Sequence, residues 1–180
     1  MRVIAGSAKG LRLAAVPDGT RPMSDRAREG LFSSLGTAVH DARVLDLFAG
    51  TGALGIEALS RGAARAVFVD DNPAAAAAVR ENLNRTNLSN RGRVLRRDAR
   101  RALHKDLGAF DLALLDPPYD ADHALLDAVL ADLAGQGLVS AGARVALTRR
   151  TGSYTPVIPL DWRSDRRLSY GDSVVLVFQA

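Results

Sequence analysis

Val44-Leu45-Asp46-Leu47-Phe48-Ala49-Gly50-Thr51-Gly52-Ala53-Leu54-Gly55 is the stretch on which the fold turns. Val44 to Phe48 is a short, nearly all-apolar run, the pattern of a strand buried on both faces. A glycine-rich turn follows, and Ala53 to Arg61 then reads as a helix closed by Gly62 at its C-terminus. Gly50 and Gly52 let a ligand approach the backbone, and Gly55 lets the helix pack closely on the strand. The spacing fits G-x-G-x-x-G, and Asp70 follows Gly50 by 20 residues at the end of the next strand-like run. An acidic side chain there accepts hydrogen bonds from the ribose hydroxyls of a nucleotide. This is a nucleoside-binding pattern, compatible with a nicotinamide or flavin dinucleotide and with S-adenosylmethionine.

Outward from this turn, strand and helix alternate. Strands are expected at Arg43–Phe48, Arg65–Asp70, Gly92–Arg97, Phe110–Asp116 and Ala143–Thr148, and helices at about 53–61, 73–88, 99–107 and 121–135. Asn72 followed by Pro73 marks one helix start, as cap and first helical residue. Repeated strand–helix–strand units imply a parallel sheet. The runs Arg166–Tyr170 and Ser173–Phe178, separated by Gly171-Asp172, signal a closing antiparallel hairpin. The expected fold is a doubly wound, Rossmann-like α/β domain over residues 41–180, with a seven-stranded sheet. Residues 1–40 form a smaller extension: strand-like Val3-Ile4-Ala5 and Leu11-Arg12-Leu13, breakers at Pro17, Gly19 and Pro22, and a helix capped by Ser24 with an apolar stripe at Ala27, Leu31, Phe32 and Leu35.

Composition bounds the chemistry. The 180 residues, 47% hydrophobic and 24% charged, suffice for one core. Cysteine is absent, which removes disulfides, thiolate metal sites and thiolate nucleophiles. No apolar run has membrane-spanning length, the N-terminus has no signal-peptide core, and the expected location is cytoplasmic. The net charge is +4, and of 24 basic residues only Lys9 and Lys105 are lysines. Arginine favours phosphate and base contacts, although a GC-rich coding bias enriches Arg and Ala together. The cluster Arg91, Arg93, Arg96, Arg97, Arg100 and Arg101 is either an RNA face or a solvated surface. His40, His104 and His123 have no metal-site or triad spacing, and no metal is expected.

Three acidic positions narrow the ligand. Asp46 interrupts an apolar strand four residues before Gly50. A buried carboxylate needs a partner; the cationic methionyl end of S-adenosylmethionine supplies one, whereas a pyrophosphate repels it. Asp98 ends the third strand, where it has the chemistry to accept from an adenine amino group or to cap the helix starting at Ala99. Asp116-Pro117-Pro118-Tyr119 closes the fourth strand. Its two prolines fix the backbone and remove two amide donors. The Asp116 carboxylate and the Pro117 carbonyl remain as a rigid acceptor pair, with an aromatic ring beside them. Such a pair suits the NH2 of a nucleobase. Asp71 reads as a turn residue.

These residues resemble class I S-adenosylmethionine-dependent methyltransferases, and the Asp-Pro-Pro-Tyr segment resembles those that modify amino groups of bases. Arg2-Val3-Ile4-Ala5-Gly6, Arg21-Pro22-Met23-Ser24-Asp25-Arg26-Ala27-Arg28-Glu29, Leu31-Phe32, the block from Phe48 to Gly62, and Tyr170-Gly171-Asp172 are similar to the 16S ribosomal RNA guanine-N2 methyltransferases that modify guanine 966. Met23-Ser24 stands where that family has a pair of threonines. The resemblance implies a monomer that uses S-adenosylmethionine to methylate guanine N2 in assembled or partly assembled small ribosomal subunits. On this reading Asp46, Phe48, Ala49, Gly50, Thr51, Gly52, Gly55, Asp70, Asp98 and Ala99 bind the cofactor. Asp116, Pro117, Pro118 and Tyr119 are catalytic; Arg21, Arg26, Arg28 and Tyr119 meet RNA, or the arginines close the cofactor site. The N6 amine of a DNA adenine or the amine of another RNA base, and more remotely a dinucleotide-dependent oxidoreductase, are the alternatives.

Overall fold

A computed structural model describes residues 1–14 and 23–180. Seven strands form one sheet: β1 (Arg43–Leu47), β2 (Arg65–Asp70), β3 (Gly92–Arg96), β4 (Phe110–Leu115), β5 (Val139–Arg150), β6 (Arg163–Tyr170) and β7 (Ser173–Gln179). Their order across the sheet is β3-β2-β1-β4-β5-β7-β6. The first five run parallel, and β7 pairs antiparallel with both β5 and β6. This is the expected Rossmann-like arrangement with its terminal hairpin.

Among the described residues five α-helices cover the sheet: α1 (Asp25–Leu35), α2 (Ala53–Ser60), α3 (Pro73–Arg85), α4 (Ala99–Ala102) and α5 (His123–Gly135). The cluster that includes Leu31, Phe32, Ile56, Phe68 and Val79 fills one side of the sheet, under α1, α2 and α3. Leu45, Leu47, Ala113, Leu130, Val145 and Trp162 belong to the cluster on the other, under α5. Strand residues alternate between the two clusters, so most of β1 and β4, and Val145 to Leu147 of β5, are apolar on both faces.

Helix ends follow local chemistry. Ser24, Asn72, Asp98 and Asp122 accept from the first-turn amides of α1, α3, α4 and α5. Gly62, with φ of 103°, ends α2 as expected, and Ala63 N–H returns to the Ala58 carbonyl at 3.0 Å.

Several expectations are corrected. The two N-terminal strands reduce to a single antiparallel bridge between Arg2 and Arg12. Backbone hydrogen bonds still join the two segments, from the Val3 amide to the Leu11 carbonyl and from the Leu13 amide to the Met1 carbonyl, while the amides between them turn to α2. The buried Glu57 carboxylate accepts the Ile4 and Ala5 amides at 2.7 and 3.0 Å, and the Ser60 hydroxyl joins Ala5 and Ala8. Val3, Ala8 and Leu13 share a core cluster with the sheet, so packing is continuous across residue 40. Helix α3 stops at Arg85, three residues early, because Asn87 adopts a left-handed φ of 59° and Leu88 N–H closes on the Leu83 carbonyl. The helix expected over 99–107 is one turn, followed by a 3-10 turn at Lys105–Leu107. Strand β5 starts earlier and ends later than expected, and β6 starts earlier. Pro17, Gly19 and Pro22 lie outside the described residues.

Candidate active site

Strand order reverses between β1 and β4: the chain moves outward from β1 through β2 to β3, then returns to β4 on the other side. Ligands of open α/β sheets bind at the carboxyl ends of strands beside such a reversal. The glycine turn leaves β1 there, and the Asp-Pro-Pro-Tyr segment leaves β4 beside it. The two segments are tied together, with Asp116 N–H 3.4 Å from the Leu47 carbonyl.

Both segments open into one cavity of about 640 Å³, within the range of small-molecule sites. Asp46, Phe48, Ala49, Gly50, Thr51, Asp70, Asp98 and Ala99 line it, as do Asp116, Pro117, Pro118 and Tyr119. Gly52 and Gly55 stand behind this lining. Gly52 begins α2 with a φ of 75°. A Cβ on Gly55 would lie 2.3 Å from the Phe68 ring and 2.9 Å from the Asp46 carboxylate, so only glycine fits. Phe48 is a non-glycine residue held at φ of 62°, and such strain gathers at functional loops.

The carboxylates differ in their partners. Asp70 accepts the Gly50 amide at 2.8 Å and the Asn72 amide at 2.9 Å, which fixes the glycine turn against the end of β2. Asp98 caps α4 through the Arg101 amide at 3.0 Å and also lines the cavity, so the two roles read from sequence are geometrically compatible. Asp46 is buried; one oxygen accepts the Gly55 amide at 2.8 Å and the other has no hydrogen-bond partner. Burial pushes its carboxyl well above the usual range, and Asp116 and Asp70 add to that rise.

Asp116 accepts from the Thr148 hydroxyl and from the Met23 backbone amide. Burial nevertheless raises its carboxyl to about 6. Sequence reading missed both donors: Thr148 comes from β5, where Leu147 registers with Leu115, and Met23 precedes α1. Only the folded sheet places them. The Tyr119 hydroxyl lies 2.8 Å from the Ser173 hydroxyl at the start of β7, so the hairpin sets the position of this ring. Asp71, Asn72, Ala75 and Leu125 complete walls that the sequence did not identify.

The three candidate RNA arginines separate. Arg21 lies outside the described residues. Arg26 is exposed and lines a shallow groove with Arg2, Lys9 and Glu29, apart from the main cavity. Arg28, read from sequence as an RNA contact or as closing the cofactor site, has a side chain 1% exposed that pairs with Asp25 at 2.9 Å, and it lines the main cavity from α1. Within the arginine cluster, Arg91 donates to the Ala63 carbonyl and Arg100 pairs with Asp132 at 2.9 Å, which gives these two structural roles. His40 pairs with Asp41 at 2.9 Å, and the His123 ring stacks on Tyr154.

Comparison with known proteins agrees with this geometry. The family model "Conserved hypothetical protein 95" matches residues 1–179. The chain is 33% identical over 181 residues to Ribosomal RNA small subunit methyltransferase D of Escherichia coli K12, covering 99% of this chain and 89% of that protein. Among solved structures, the yhhF protein of Escherichia coli superposes with a TM-score of 0.88 at 34% identity, covering 99% of this chain and 97% of that one. A hypothetical protein of Thermus thermophilus superposes with a TM-score of 0.83 at 34% identity, covering 98% of each chain. The full-length match to the family model and to the Escherichia coli enzyme therefore joins sequence, fold and cavity in one conclusion: this chain belongs to the Conserved hypothetical protein 95 family, together with Ribosomal RNA small subunit methyltransferase D.

Proposed function

We propose that the chain transfers a methyl group from S-adenosylmethionine to the exocyclic N2 amine of a guanine in 16S ribosomal RNA of the small subunit. Membership of the family makes it a methyltransferase. The observation that carries the finer reading is the single cavity shared by the glycine turn and the Asp-Pro-Pro-Tyr corner. A donor and an acceptor there lie within reach of one direct transfer.

The lining fits the donor. Among the described residues it holds six aspartates (Asp46, Asp70, Asp71, Asp98, Asp116 and Asp120) and one arginine. Such a wall repels a pyrophosphate and attracts a cationic nucleoside. On this reading Asp70 takes the ribose and Asp98 the adenine, and the oxygen of Asp46 without a hydrogen-bond partner suits the cationic methionyl end. When bound, S-adenosylmethionine supplies an electrophilic methyl group on a sulfonium.

The remaining work falls to the chain's own residues. The target base leaves its stack, as enzymes acting on bases require, and the Tyr119 ring stacks on it, worth about 1–3 kcal/mol. The Asp116 carboxylate and the Pro117 carbonyl accept the two amine hydrogens. That pairing draws the nitrogen lone pair out of conjugation and aims it at the methyl group. Orientation supplies most of the rate gain, and Asp116 takes up the proton released by the methylated amine. Thr148 and Met23 hold Asp116 in place by donating to it.

The test is a labelled methyl-transfer assay on unmodified small subunits, naked 16S RNA and DNA, followed by nucleoside mapping. N2-methylguanosine from subunits or 16S RNA is the expected product. Methyladenine from any arm, or no transfer from S-adenosylmethionine at all, refutes the proposal.

A further inference from the structure

Arg28 is the one cationic side chain among the described residues lining the cavity, and the proposed transfer chemistry does not use it. It sits in the first turn of α1 with its guanidinium almost fully enclosed. Nη2 is held at its place by the Arg2 carbonyl at 2.6 Å and the Asp25 carboxylate at 2.9 Å. Nε and Nη1 are buried and donate to nothing. The Glu57 carboxylate stands 3.9 Å from Nε, beyond hydrogen-bond reach. Its oxygens are already engaged by the Ile4 and Ala5 amides and by Arg61.

Buried, unmet donors on a charged group are costly, and retaining them in a cavity wall makes sense when a ligand completes them. The same cavity holds one unmet buried acceptor of opposite sign, the free oxygen of Asp46. Two unmet guanidinium donors and one unmet carboxyl oxygen among the residues of one pocket are the complement of a group that carries both an acceptor carboxylate and a donor ammonium. An α-amino acid group, with its carboxylate and ammonium, has that charge pattern.

We propose that Arg28 binds the α-carboxylate of the methionyl end of the donor, so that the site reads this end as an amino acid and not only as a cation. The inference rests on the cavity being the S-adenosylmethionine site. It assigns Arg28 to the donor and gives α1 a part in donor selection. Nε and Nη1 are the two nitrogens that take the carboxylate, while Nη2 keeps its hold on the N-terminal segment. Arginine suits this task because its planar fork matches a carboxylate.

Titration calorimetry on the full chain tests it with three probes: S-adenosylmethionine, its decarboxylated analogue, and methylthioadenosine, which lacks the amino acid end. The wild-type chain is expected to bind S-adenosylmethionine on the order of a hundredfold more tightly than the decarboxylated analogue, the worth of one or two charge-assisted hydrogen bonds. Arg28→Leu should lose that preference while holding methylthioadenosine within about twofold, which also reports that the cavity is folded. Arg28→Lys should recover part of it. Equal wild-type affinity for the first two probes overturns the inference without any variant. So does an Arg28→Leu loss that is the same for methylthioadenosine as for S-adenosylmethionine, since the guanidinium would then act on the fold. If the wild-type chain binds none of the three, the cofactor reading itself falls and this inference with it.

Discussion

Asp116 shows how burial is turned to chemistry. Two donors, Thr148 and Met23, favour its charged form, yet desolvation outweighs them and lifts the carboxyl from 3.8 to about 6. The folded chain therefore holds this proton more tightly than the unfolded chain. The resulting stability is fully present below pH 3.8 and is lost as pH rises through about 6. Asp116→Asn, which stays neutral, is expected to be more stable than the wild type at pH 8 by up to about 3 kcal/mol. That advantage should shrink toward zero at pH 4. Denaturant midpoints at the two pH values check this, and a gap that does not change with pH would contradict it. Strand ends make Asp70, Asp98 and Asp116 legible in the sequence, and Asp46 is legible because it interrupts an apolar run, where a carboxylate has few structural reasons to be. Arg28, Met23 and Thr148 are not legible in their roles. Met23 and Arg28 reach the cavity, and Thr148 reaches Asp116, from elements whose placement depends on long-range packing, and Arg28 lies among charged neighbours that look alike in one dimension.

At the level of elements, α3 does more than cover the sheet. Its buried Asn82 accepts the Ala14 amide at 2.7 Å and donates to the Ala14 and Thr51 carbonyls at 3.2 and 2.9 Å. One side chain thereby ties the N-terminal segment to the glycine turn. Asn82→Ala would leave three backbone groups without partners, a loss of about 2–4 kcal/mol. Faster amide exchange is expected at Ala14 and around Thr51, read by hydrogen-exchange mass spectrometry; unchanged protection there would show that the tie is not needed. Strands β1, β2 and β4 are readable because both faces are covered and their apolar runs are nearly unbroken. The N-terminal runs look more strand-like in sequence than they are in the fold. Val3 and Leu13 are apolar for packing into the core, and their amides pair across the two segments, but the pairing stops at one bridge because the amides of Ile4, Ala5 and Ala8 are met by Glu57 and Ser60. The end of α3 escapes the sequence because Asn, not Gly, takes the left-handed position at residue 87.

Over the whole molecule, charge is divided by location. The chain carries +4 overall, while the cavity wall is acidic. Under the proposed function this division draws a cationic donor inward and leaves the exposed Arg26, Arg93, Arg96 and Arg97 as candidates to meet an anionic RNA. RNA binding should therefore weaken steeply with added salt, since each phosphate contact releases counterions. Donor affinity should change far less. Filter binding to RNA and calorimetry with the donor, each at about 50 and 200 mM salt, separate the two; matching slopes would contradict this division. Sequence order alone is enough to place both halves of the cavity at one sheet edge, because parallel strands put every strand-to-helix loop on the same side.

The central claim is that donor and acceptor occupy different parts of that one cavity, with the Asp-Pro-Pro corner serving the acceptor. The most direct test is paired measurement on Asp116→Ala of S-adenosylmethionine affinity and single-turnover methyl transfer to unmodified small subunits. Affinity within a fewfold of wild type, with transfer reduced by at least about a thousandfold, is the result expected. Equal loss of both, or transfer that survives, would contradict the account.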